Sequence, residues 1–217
     1  MSPFSRRRFL TLSGLTIATG FLPHVSSAKN LAKPIRELKG KVWINGTLAT
    51  MDSTIKSGDA LKTGRDSRVI FVLGEDVFKL GERSRLKVKW RKESRFGDIS
   101  LVAGSLMGVF GKGDRKIHTH SATMGIRGTG IFIQVDNEKT YFCTCYGKTS
   151  LDSPDGSVKD HITETSHHKA YWVKNPDKIA EGETEILSYA PMLYHDDEEL
   201  VQLESFVGRT PPASFKK

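Results

Sequence analysis

The residues best suited to chemistry are the chain's two cysteines, Cys143 and Cys145, separated by the single residue Thr144. They fall in a segment of alternating character, so strand geometry points both to one face with their Cα atoms ~6.5–7 Å apart. That separation lies at or beyond the upper limit for an unstrained disulfide. Two thiols on one face are half of a four-coordinate metal site, and His167, His168 and His195 could supply the imidazoles. Such a thiolate and imidazole set suits a borderline or soft metal: zinc, copper or an iron–sulfur cluster. The alternatives are cysteines packed in a core or joined in a strained bridge, with histidines at the surface. Spacing alone does not bring His168 to Cys145. A Cys145–His nucleophilic pair is formally available, but two thiols so close together are more simply a pair with one shared role. The chain has no Gly-x-Ser-x-Gly elbow, no His-Glu-x-x-His helix and no nucleotide fingerprint, so a non-enzymatic role is expected.

The elements that must hold these residues are strands. From Leu38 to about Leu151 short alternating runs are separated by Gly, Asp and Asn. Val42 and Ile44 alternate with Lys41 and Trp43; Val69, Phe71 and Leu73 alternate with Arg68, Ile70 and Val72. Lys56-Ser57-Gly58-Asp59 and Lys62-Thr63-Gly64 supply turn chemistry. Ile131 to Val135 turns through Asp136-Asn137-Glu138 and returns along Thr140 to Tyr146, the pattern of a hairpin. Between Arg83 and Arg91, period two puts Arg83, Arg85, Lys87, Lys89 and Arg91 on one face and Ser84, Leu86, Val88 and Trp90 on the other. That cationic face would either receive an anionic partner or simply keep an exposed strand from pairing edge to edge.

Beyond Leu151 the composition changes. His161, His167, His168 and His195 precede the acidic run Asp196 to Glu199. Asp196 and Glu199 have the spacing of a helix capping box. Leu200, Leu203, Phe206 and Val207 recur at helical intervals until Gly208, which predicts a short amphipathic helix over about 197–207 docked on the sheet. The acids are fully explained as partners of the helix's positive end.

The chain has 217 residues, 33 Lys+Arg against 25 Asp+Glu, and a net charge of +8. That length suits one domain with an appendage. The longest apolar run, Phe9 to Leu22, falls short of the ~20 residues of a membrane-spanning helix. Ser5-Arg6-Arg7-Arg8-Phe9-Leu10 resembles the twin-arginine export signal, with Arg6, Arg7, Phe9 and Leu10 at its defining positions. Val25-Ser26-Ser27-Ala28 follows, and Ser26 and Ala28 suit a cleavage site. Residues 1–28 are thus expected to be removed, leaving a periplasmic chain with no transmembrane span. Their loss takes three arginines and no acid, lowering +8 to +5. That modest surplus, without a lysine-rich block interleaved with aromatics, gives no reason to expect nucleic-acid binding. The twin-arginine route carries folded cargo, often with cofactors in place, which agrees with a metal site.

Ala122-Thr123-Met124-Gly125-Ile126-Arg127-Gly128-Thr129-Gly130-Ile131-Phe132, followed by Thr140-Tyr141-Phe142 and Gly147, resembles the FecR domain family. Gly40-Lys41-Val42, Gly58 to Gly64, the strand around Arg68 to Leu73 and Gly104-Ser105-Leu106 fall in that family's order. The resemblance spans residues 37–152 and implies a compact all-β module, a sandwich or roll of short strands, with 153–217 a histidine-rich extension. It further implies a sensory or binding role through a periplasmic or membrane protein partner; the best-known members relay iron–siderophore receptor occupancy to a sigma factor. Those relays have a cytoplasmic region and a transmembrane helix, where this chain has an export signal. Arg127-Gly128-Thr129 reads as structural, the glycines permitting a tight backbone course and Arg127 bonding carbonyls or a carboxylate.

Overall fold

The structure, a computed structural model, describes residues 33–91 and 96–215, with the side chains of Trp90, Arg91 and Phe96 left aside. The export-signal residues Arg6, Arg7, Phe9 and Leu10 and the cleavage site after Ala28 lie outside the described residues. The chain is all-β with one short helix. The strands are β1 (Ile35–Lys39), β2 (Val42–Ile44), β3 (Thr47–Leu48), β4 (Ala60–Thr63), β5 (Arg68–Leu73), β6 (Asp76–Leu80) and β7 (Arg85–Arg91). They continue with β8 (Phe96–Val109), β9 (Asp114–His118), β10 (Thr123–Val135), β11 (Lys139–Asp152), β12 (His161–Thr165), β13 (Lys169–Lys174) and β14 (Leu187–Ala190). Helix α1 (Asp197–Ser205) follows, ending two residues before the predicted Val207 because Phe206 serves as its C-cap.

The main path of the sheet runs β14-β13-β11-β10-β9-β8-β7-β4-β2-β3, with β1, β5 and β6 attached through β8 and β12 through β11. Three strands are long rather than short: β8, β10 and β11 have 14, 13 and 14 residues. Their length lets each edge serve two partners. One edge of β10 pairs with β9 over Thr123–Arg127 and with β8 over Gly130–Val135. The far edge of β11 pairs with β13 over Lys139–Thr144 and with β12 over Gly147–Leu151. The change of partner coincides with a register shift between Arg127 and Ile131. Gly128 and Gly147, at φ 62° and 89°, make the bend. A Cβ on Gly147 would sit 2.5 Å from Thr129 Cγ2, so two backbones meet where only glycine fits. The sheet continues without a break across residue 152, since β12 and β13 both pair with β11.

Period-two alternation builds two cores. Leu61, Phe71, Leu86, Val88, Leu106, Ile131, Ile133 and Phe142 belong to the larger. The intervening residues Phe132, Tyr141, Cys143, Cys145 and Tyr146 belong to the second, with Met107, Leu200 and Leu203. This second core exists because α1 packs across β6 and β8. Asp196 caps α1 by accepting from Glu199 N at 2.9 Å. The reciprocal half of the capping box does not form; Glu199 instead pairs with Lys79 of β6, tying the helix to the sheet.

Candidate metal centre

Cys143 and Cys145 both project from β11 into the second core, and both are fully buried. Their sulfurs are 4.0 Å apart and both thiols are free, so the strained bridge is not formed. His168 reaches them from the turn between β12 and β13. Its backbone N–H donates to Cys145 O at 2.9 Å, which anchors the turn beside the cysteine. The residue adopts φ 29°, a left-handed conformation that costs an imidazole-bearing residue ~1–3 kcal/mol and re-aims its side chain. His195 arrives from the segment between β14 and α1, just after Tyr194 at φ 70°. Its ring stacks on Phe132, 4.6 Å between centroids and 9° from parallel.

The donor atoms of Cys143, Cys145, His168 and His195 lie within 4.8 Å of one another. Cys143 Sγ to His168 Nδ1 is 3.5 Å, Cys145 Sγ to His195 Nε2 is 3.4 Å and His168 Nδ1 to His195 Nε2 is 3.2 Å. A tetrahedral zinc with ordinary bond lengths would set S···S at about 3.75 Å, S···N at about 3.55 Å and N···N at about 3.3 Å. The four measured edges therefore match a single tetrahedron.

The outer nitrogens decide the tautomers. His168 Nε2–H donates to Asp197 Oδ1 at 2.8 Å, and His195 Nδ1–H donates to Leu193 O at 2.7 Å. Both neutral rings thus turn a lone pair, not a hydrogen, toward the thiols and toward each other. Fixing the metal-facing nitrogen by tying the other to a carboxylate or carbonyl is the usual support of a ligating histidine. Two lone pairs 3.2 Å apart repel unless a cation sits between them. A proton on His168 Nδ1 can do this in the metal-free protein, and a metal ion can take its place.

The charge states agree. The Cys145 hydrogen bond holds the Cys143 thiol down at about 4 against the opposing effect of burial, with His168 and His195 assisting. Burial and the Cys143 thiolate push Cys145 up. Burial alone would lower His168, but its hydrogen bonds to Cys143 and Asp197 outweigh this and raise it. Asp197 is lowered because the hydrogen bonds from His168 and His167 overcome burial.

Of the histidines singled out by sequence, His168 and His195 join the cysteines and His167 does not. His167 Nε2 lies 3.2 Å from Asp197 Oδ2, in a separate group with His168. Sequence reasoning missed Asp197, which it treated only as a helix-terminus acid. Its position two residues after His195 is the one signal that could have pointed to it. Cys143, His168 and Asp197 also stand in the order of a nucleophile, base and carboxylate, but a thiol with no exposure is not presented to a substrate.

The cationic strand face is as the alternation predicts: Arg85, Lys87 and Lys89 are exposed and Leu86 and Val88 buried, while the side chain of Arg91 lies outside the described part. Lys62 of the neighbouring β4 stands over Trp43 at 5.5 Å. Arg127 departs from expectation. It is exposed and bonds no carbonyl or carboxylate among the described residues, because the bend at Gly128 turns it outward. The buried arginine is Arg115 on adjacent β9, whose Nε donates to Asp76 Oδ2 at 2.6 Å.

No protein-family model and no curated protein matches the chain. Among solved structures it is similar to two crystal structures of a "putative anti-sigma factor" from Parabacteroides distasonis ATCC 8503, at 1.65 and 2.50 Å resolution. In each case the identity is 11%, the TM-score 0.49, and the match covers 60% of this chain and 58% of that one. The match thus spans less than two thirds of those structures' own length. Among the described residues no helix is long and apolar enough to cross a membrane.

Proposed function

We propose that this protein is a zinc-binding β module in which one metal ion, held by Cys143, Cys145, His168 and His195, clamps the carboxy-terminal segment onto the sheet. The observation that carries this reading is the set of four buried donors at tetrahedral spacing, with both imidazoles locked as acceptors by Asp197 and Leu193. Two thiolates and two imidazoles with no open position suit a closed zinc site. A Rieske-type iron–sulfur centre divides its thiolates and imidazoles between two irons, whereas these four converge on one point. A blue-copper site uses one thiolate and a weak axial ligand, where this site offers a second thiolate.

The closed shell assigns the metal a conformational role. Cys143 and Cys145 belong to β11, His168 to a turn and His195 to the segment leading into α1, so the ion joins three elements that no disulfide connects. Export in folded, metal-loaded form by the twin-arginine route, and FecR-like action through a periplasmic or membrane protein partner, complete the proposal. They rest on the motifs of residues 5–10 and 122–132. Replacing Arg6 and Arg7 by Lys should leave full-length precursor in the cytoplasm.

The direct test is elemental analysis of the chain purified without chelator, followed by cobalt substitution. One metal per chain and a tetrahedral thiolate–cobalt spectrum, both abolished in Cys143→Ser/Cys145→Ser, are expected. Metal-free protein that takes up neither zinc nor cobalt would refute the site.

A further inference from the structure

A second cluster lies away from the metal, in a cleft of about 600 Å³ between the end of α1, the β5–β6 turn and the segment after β8. Three cations line it, Arg36, Lys112 and Arg209, against one acid, Glu75. Arg36 sits at the irregularity in β1 where the register to β5 shifts between Ile35 and Glu37. Bulges of this kind re-aim a side chain. Its Nε is buried and has no hydrogen-bond partner. Arg209 donates from Nε to Glu204 Oε2 at 2.6 Å and from Nη1 to Glu75 O at 2.5 Å, which fixes its guanidinium. Its remaining Nη2 is likewise buried without a partner. Among the described residues no carboxylate pairs with Arg36 or Lys112.

A buried donor left unsatisfied costs ~1–3 kcal/mol, and more when it is charged. Two such guanidinium donors in one cleft, backed by a lysine, form a site that lacks only its acceptor. Carboxylate and phosphate oxygens are the acceptors that guanidinium groups match best. The rest of the wall is apolar: Val72, Phe206 and Val207. We propose that this cleft binds a small organic oxyanion, a carboxylate or phosphate monoester carried on a short apolar stem. None of its residues ligates the metal, so the site stands independently of the zinc reading.

Isothermal titration of the full chain, in buffer free of phosphate and carboxylate, tests this with hexyl phosphate, hexanoate and inorganic phosphate as probes. One saturable site per chain is expected for at least one organic probe, tighter than inorganic phosphate, and the preferred probe names the group. Arg36→Gln should weaken that binding about tenfold or more, equivalent to about 1.4 kcal/mol. Exposed Lys112→Gln should weaken it less, most visibly at low salt. Circular dichroism and metal content of both variants should equal those of the parent. Absence of saturable binding with every probe would overturn the proposal, as would affinity unchanged in both variants. Inorganic phosphate binding as tightly as hexyl phosphate would overturn the apolar half.

Discussion

β7 and β11 follow the same period-two rule yet end in opposite surroundings. Each gives alternate residues to the larger core, Leu86 and Val88 from one and Phe142 from the other. The remaining residues diverge. In β7 they are Arg85, Lys87 and Lys89, exposed to water; in β11 they are Tyr141, Cys143 and Cys145, buried in the second core. The difference lies in what crosses above them. β11 is covered by the segment carrying His195 and by α1, and this cover is held by apolar contact at Leu200 and Leu203, by the Lys79–Glu199 pair and by the four-donor centre. A covered sheet face can hold thiolates and imidazoles away from water at controlled spacing. An uncovered one needs charge to stay soluble.

The sharpest way to break this contrast is to remove the clamp. At a thousandfold excess of free zinc over Kd, binding should add about 4 kcal/mol to unfolding free energy. Chelator should therefore lower the melting temperature of the parent protein and leave Cys143→Ser/Cys145→Ser unmoved. A parent melting curve indifferent to chelator would show that the cover holds without the metal.

Loosening the cover from its apolar side comes next. Leu203→Ala removes a fully buried side chain and should cost about 2–5 kcal/mol in urea unfolding. Within the centre, Asp197→Asn should weaken zinc about 10–100-fold by loosening the support of His168. His167→Ala should change affinity much less, since His167 meets Asp197 rather than the thiols. Equal losses in the two variants would mean that the ligand set is wrongly drawn.

Acidity separates the metal-free and metal-loaded forms. The raised His168 pKa stabilises the metal-free protein fully below 6.5, and this contribution fades as pH rises through the folded-state value above 6.5. Zinc must displace that same proton, so zinc affinity should climb over the window in which metal-free stability declines. Parallel melting and zinc titrations across that range check both signs. The smallest effect belongs to the bare face: Lys87→Ser should change stability by no more than ~0.5 kcal/mol, as expected for an exposed site without a fixed partner.

Much of this was legible in the chain. The hairpin through Asp136-Asn137-Glu138, the outward cations of β7, the shared face of Cys143 and Cys145 and the Asp196 cap all follow from local periodicity and turn chemistry. The length of β8, β10 and β11 was harder to read, because glycine marks both the end of a strand and a bend within one, and at Gly128 and Gly147 it marks a bend. Arg127 was misread for the same reason.

Period and residue type alone determined an all-β chain with one late helix and placed two thiols side by side, because strand and helix repeats are local properties of the backbone. Only the tertiary structure decided which imidazoles meet those thiols. His168 rather than the adjacent His167 turns inward because its backbone is left-handed and bonded to Cys145. His195 arrives from 50 residues along the chain because α1 docks over β6 and β8. Asp197 becomes a support for His168 by the same docking. Contacts between residues so far apart depend on the packing of whole elements, and no local pattern encodes them.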